Sequence, residues 1–93
     1  MEISSGNPYV ILKEEDNKQY RLFAGYQKKD MYWHRDREDR EIKLLSGEMS
    51  FQKDNELPVK MEAGSTVFCA ANVLHRIIPN ESWSPFIIEI TFL

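Results

Sequence analysis

The chain has 93 residues, a length that suits one domain and one core, and it carries 12 Lys and Arg against 15 Asp and Glu, a formal net charge of −3. A hydrophobic fraction of 42% with so small a net charge excludes intrinsic disorder, which needs the opposite combination. Basic residues are interleaved with acidic ones, so there is no positive stripe to follow a phosphate backbone, and nucleic acid is not an expected partner.

No apolar run approaches the roughly 20 residues that span a membrane, and the first residues show no signal-peptide pattern. The one cysteine, Cys69, excludes an internal disulfide and suits a reducing compartment. A cytoplasmic protein is the expectation. A domain this small buries only about 60–65% of its unfolded surface, so a partner subunit would help its stability.

In chain order the pattern is short strands between turns. Residues 9–13 (YVILK) form a first strand and 14–18 (EEDNK) a polar turn, whose Asp and Asn bond their own backbone readily. Residues 19–27 (QYRLFAGYQ) form a second strand centred on Leu22 and Phe23, and 28–30 turn the chain. Residues 31–36 begin a strand and 41–45 make another. Ser46-Gly47 turns into the alternating 48–53, and Asp54-Asn55 is the next turn. Residues 59–62, 65–70, 73–78 and 85–93 complete the strands. Runs of about five residues, rich in β-branched and aromatic types and regularly punctuated, predict an all-β sandwich or barrel. Residues 35–43 have almost no apolar face to bury as a helix. One domain spanning 1–93 is expected, with no repeat and no linker.

Residues 64–75 read GSTVFCAANVLH. A glycine turns the chain, an apolar strand follows, and Asn72 suits a turn that wants positive φ, because Asn reaches that region more readily than other non-glycine residues. A strand starting near His75 comes next. The stretch resembles the second motif of the cupin superfamily, with Gly64 on its first glycine, Asn72 on the turn glycine and His75 on the histidine. Residues 31–47 (MYWHRDREDREIKLLSG) resemble the first motif. His34 takes the first histidine, Asp36 stands at the second, and 42–47 match the strand and closing glycine. The resemblance covers about residues 20–93. It implies a small antiparallel β-barrel or jelly roll with one open mouth. It also implies a homodimer through sheet edges, with residues 1–18 as an exchanged N-terminal strand region; an exposed strand edge invites such pairing on its own account.

In metal-binding cupins two histidines and a glutamate of the first motif join the histidine of the second. Here only His34 and His75 match, and counting back from Gly47 puts Arg40 at the glutamate position. With Arg40 inward, Ile42 and Leu44 point inward too; the opposite register would bury Lys43 unpaired, which is costly. Three readings stay open. In the first, His34, Asp36 and His75 hold a divalent metal (Fe, Mn, Zn or Ni) with open positions for water or a small-molecule ligand, and as an enzyme the protein would run metal-assisted chemistry. In the second, the pocket is metal-free. Arg40 offers its planar fork to a carboxylate or phosphate, or pairs with Asp36, and the histidines add donors. In the third, the barrel is plugged, the charged stretch is a solvated rim, and only the dimer surface matters.

Cys69 reads as a small buried hydrophobe that would touch a ligand if it pointed into the barrel. Trp33 alternates with His34 and is expected on the opposite face, in a sheet or dimer contact. Trp83 is expected as a partly exposed cap, and 86–93 as a terminal strand buried on both faces. Ser65 and Ser82 lack the surroundings of a nucleophile.

Overall fold

The computed structural model describes residues 9–23, 33–80, 82 and 84–93. They form eight strands and no helix: β1 (Tyr9–Glu15), β2 (Lys18–Phe23), β3 (Arg40–Ser46), β4 (Met49–Lys53), β5 (Val59–Met61), β6 (Thr66–Cys69), β7 (His75–Pro79) and β8 (Phe86–Phe92). Every pairing is antiparallel. A five-stranded sheet runs β1-β2-β8-β3-β6 and a three-stranded sheet runs β5-β4-β7. The architecture is therefore a two-sheet jelly roll and not a fully closed barrel.

Strand alternation explains the core. On β3, Ile42 and Leu44 are buried while Glu41 and Lys43, which alternate with them, are exposed. On β8, Phe86, Ile88 and Ile90 point inward, and on β4 Met49 and Phe51 do the same. Each such side chain contributes about 1.5–3 kcal/mol on burial. The register expected from Lys43 holds: Arg40 lies on the inner face with Ile42 and Leu44, and its side chain is 17% exposed.

The turns follow the expected backbone chemistry. Gly47 and Gly64 have φ of 88° and 95°, and Asn55 and Asn72 have 62° and 65°. Gly47 has a second constraint, since a Cβ there would stand 2.7 Å from both the Phe86 Cβ and the Pro85 carbonyl oxygen.

Two expectations need correction. Residues 33–39 are not a strand; their ladder pairing is the single bridge between His34 and His75. The terminal strand is buried on one face, not two. Ile87, Glu89 and Thr91 on its other face stay half-exposed, because among the described residues no layer covers the outside of the five-stranded sheet, and Glu89 instead meets Lys18 at 3.6 Å. β2 is described only as far as Phe23, so the rest of the 19–27 strand lies outside the described residues, as do Trp83 and residues 1–8 of the N-terminal strand region. From Tyr9 onward β1 pairs with β2 of its own chain.

Candidate metal centre

The site begins where β7 begins. His34 and His75 exchange both backbone hydrogen bonds, each 2.9 Å, which makes them a directly opposed antiparallel pair with side chains on one face. Their rings meet edge to face with centroids 4.2 Å apart. His75 is 2% exposed and lies against Phe51, 5.4 Å between rings. The His34 side chain is 50% exposed. One imidazole thus faces the core and the other the opening.

Asp36 reaches the pair from the loop that leads into β3. Two bonds to the Asn72 turn hold this loop: the Asn72 N–H donates to the Asp36 carbonyl at 2.7 Å, and the Ala71 N–H donates to Asp39 Oδ1 at 2.7 Å. Asp36 Oδ2 is 3.1 Å from His75 Nε2, and Oδ1 is 3.8 Å from His34 Nε2. One ligand atom from each of His34, Asp36 and His75 can be chosen so that all three lie within 4.8 Å of one another. His34 and Asp36 do share a face, although a loop and a bridge place them there in place of a strand.

The hydrogen bonds of His75 decide what its other nitrogen can do. Nδ1 lies 2.8 Å from the Val73 carbonyl oxygen, which can only accept, so Nδ1 carries the proton and the neutral ring presents a bare Nε2. Burial pushes the His75 imidazole below its ordinary range, aided by His34 and Arg40 and opposed by the Val73 bond and Asp36. With Nδ1 held by Val73, His75 directs Nε2 at a carboxylate oxygen 3.1 Å away. A cation between Nε2 and Oδ2, a proton or a metal ion, satisfies both atoms. Two cis ligands of an octahedral ion with bonds of about 2.1 Å stand about 3.0 Å apart, so the donor chemistry and the spacing both fit a divalent metal.

Arg40 sits beside the site with its charge engaged. Its Nη2 and Nε donate to Glu38 Oε1 at 2.7 and 3.0 Å, its Nη1 is 3.5 Å from Asp36 Oδ1, and its guanidinium lies over the Phe92 ring at 4.9 Å. Glu38 therefore offsets a cation that would otherwise repel a metal. Cys69 is fully buried, with Sγ 3.2 Å from His75 Nδ1, on the side of the ring away from Asp36. Burial, with Asp36 adding to it, pushes its thiol up to about 11. Trp33 stacks with Arg76, 4.7 Å from guanidinium to ring.

The structure gives roles to residues that the sequence left without one, Glu38 among them, which an insertion in the 35–39 loop could have brought into reach of the metal and which instead meets Arg40. Glu38 and Val73 position Arg40 and His75. Gln19 and Arg21 are polar side chains on the inner face of β2, directly opposite Ile90 and Ile88 of β8. A signal for this pair existed: both alternate in step with Phe23, the most apolar residue of that face.

No family model matches the chain, and no curated protein does. Solved structures do share its fold. A cupin-2 domain containing protein from Shewanella frigidimarina is 18% identical with a TM-score of 0.63, over 88% of this chain and 76% of that one. The DMSP lyase DddQ from Ruegeria pomeroyi is 18% identical with a TM-score of 0.65, over 84% of this chain and 39% of that one. A protein domain of unknown function from Vibrio parahaemolyticus is 7% identical with a TM-score of 0.70, over 91% of this chain and 85% of that one. The chain spans little more than a third of the matched DMSP lyase chains, 36% and 39%. The fold is that of a small cupin, and it carries a His-Asp-His cluster able to hold a metal.

Proposed function

We propose that this protein binds a divalent metal, Fe, Mn, Zn or Ni, through His34 Nε2, His75 Nε2 and the Asp36 carboxylate, and that it binds a small molecule beside the ion. The observation that carries this is Nε2 of a buried His75, its Nδ1 held by Val73, facing Asp36 Oδ2 at 3.1 Å with the His34 ring alongside. Two imidazoles and one carboxylate leave positions open for water or ligand. The ion would supply Lewis-acid polarisation of whatever oxygen it meets. The chain's own residues hold the donors in place. Val73 fixes the tautomer of His75, the Asn72 turn fixes the loop of Asp36, and Arg40 with Glu38 sets the charge behind Asp36. The cupin-fold neighbours support the reading at the level of fold; the DMSP lyases among them are lyases by their own description.

Elemental analysis of protein purified without an affinity tag or chelator, alongside His75→Ala, tests the proposal. Near-stoichiometric metal in the parent and none in the variant is the expected result. A parent that stays empty after reloading with excess Fe, Mn, Zn and Ni would remove the metal site.

A further inference from the structure

Among the described residues, Arg21 is a guanidinium on an inner sheet face with N–H groups that its neighbours leave available. It stands directly across from Ile88, and Gln19 from Ile90, and both of those β8 residues are buried. Opposed residues of an antiparallel pair share a face, so Gln19 and Arg21 enter the space between the sheets. Arg21 Nε donates to Gln19 Oε1, and Gln19 Nε2 in turn donates to Glu14 Oε1 at 2.7 Å. The guanidinium lies over the Tyr9 ring at 4.1 Å. These contacts use one N–H and one face. Among the described residues no carboxylate lies within ion-pair distance of Arg21, whereas Arg40 has two.

A half-buried guanidinium fixed by an amide and an aromatic face, with both Nη groups unspent among the described residues, is preorganised for a planar bidentate acceptor. It lies on the same sheet face as Arg40 beside the metal centre, since Arg21 and Leu44 flank Ile88 and Arg40 alternates in step with Leu44. The charge balance selects the acceptor. With Glu14 one amide away, a single fork suits a monoanion better than a phosphate dianion.

We infer that Arg21 receives the carboxylate of a small organic acid that lies between the sheets and extends toward the His34–Asp36–His75 centre. The inference deepens the proposed function and rests on it for the ion, but the Arg21 contact itself needs no metal.

The test is therefore an NMR titration of chelator-treated, metal-free protein with propionate, propionamide and inorganic phosphate at constant ionic strength. The parent, Arg21→Gln and Arg21→Met are compared, with the Arg21 Nε–H resonance as the reporter. Saturable propionate binding that moves this resonance is expected. Both variants should lose about tenfold or more in affinity, the scale of a charged hydrogen-bonded contact, and propionamide should not bind. Were Arg21→Gln to misfold, Arg21→Met keeps the stem, and the parent's Arg21 resonance reports without any variant. Propionate binding unchanged in the variants, no saturable binding in the parent, equal binding of propionamide, or tighter binding of phosphate would each overturn the inference. Metal content of Arg21→Gln is measured separately. Metal retained with propionate binding unaffected sinks this inference alone; propionate binding through Arg21 in a protein that takes no metal sinks only the metal reading.

Discussion

His34 and His75 are backbone partners, exchanging two 2.9 Å hydrogen bonds across a single bridge, yet the His34 side chain is 50% exposed and the His75 residue 2%. The asymmetry separates binding from folding. His75→Ala leaves a cavity and strips the Val73 carbonyl of its donor, which costs about 2–4 kcal/mol. His34→Ala stays within about 1 kcal/mol of the parent. Both should lose the metal. Urea denaturation with chelator present, together with elemental analysis, checks this; full metal content in His34→Ala would remove His34 from the ligand set.

Stability should fall on mild acidification. Burial holds the folded-state pKa of His75 below its ordinary value, so between the two values the unfolded chain binds more protons. The contribution is whole above about pH 6.5 and is lost as pH drops from there toward the folded-state value. Urea midpoints of the metal-free protein from pH 8 to 5 should decline, and His75→Gln should flatten the decline. Bound metal should be released over the same range, because protons compete for the imidazoles.

Cys69 should be inert in the folded protein. Its thiol is fully buried and pushed up to about 11, so little thiolate exists near neutral pH. Iodoacetamide at pH 8 should label the protein only in denaturant. Rapid labelling of the native protein would show that the space behind His75 opens.

The two turn glycines should respond differently to alanine. Both have positive φ, but a Cβ at Gly47 meets Phe86 and Pro85 at 2.7 Å, while at Gly64 nothing lies within 4 Å. Gly64→Ala should cost about 1 kcal/mol of backbone strain. Gly47→Ala should cost more than about 2 kcal/mol, because backbone must shift as well. Thermal melts of the pair decide it, and equal losses would contradict the packing account.

Glu38→Gln should weaken metal binding several-fold with little change in stability. Glu38 takes two hydrogen bonds from Arg40; without its charge, Arg40 presses harder on Asp36 Oδ1, now 3.5 Å away. Titration with Zn²⁺ against a competing chelator measures the change. A tighter site in the variant would mean that Arg40 does not compete for Asp36.

Much of the fold was legible because strand side chains repeat every two residues. The burial of Ile42 and Leu44, the inward Arg40 and the positive φ of Asn72 all follow from local pattern and local sterics. His34, Asp36 and His75 were readable as candidates because their residue types and spacing matched motifs. The exposure of the outer β8 residues was not legible, since Ile87 is as apolar as Ile88 and only the absence of a covering layer among the described residues tells them apart.

What the sequence determined by itself was therefore the alternation of short strands, the turns that join them and the residues able to ligate. What the tertiary structure alone decided was their relation across the chain. Asp36 Oδ2 stands 3.1 Å from His75 Nε2, His34 exchanges backbone hydrogen bonds with His75, and Arg21 of β2 lies opposite Ile88 of β8. The physical reason is that a hydrogen bond or ion pair depends on distances of about 3 Å and on direction, and neither exists until two sheets have packed face to face.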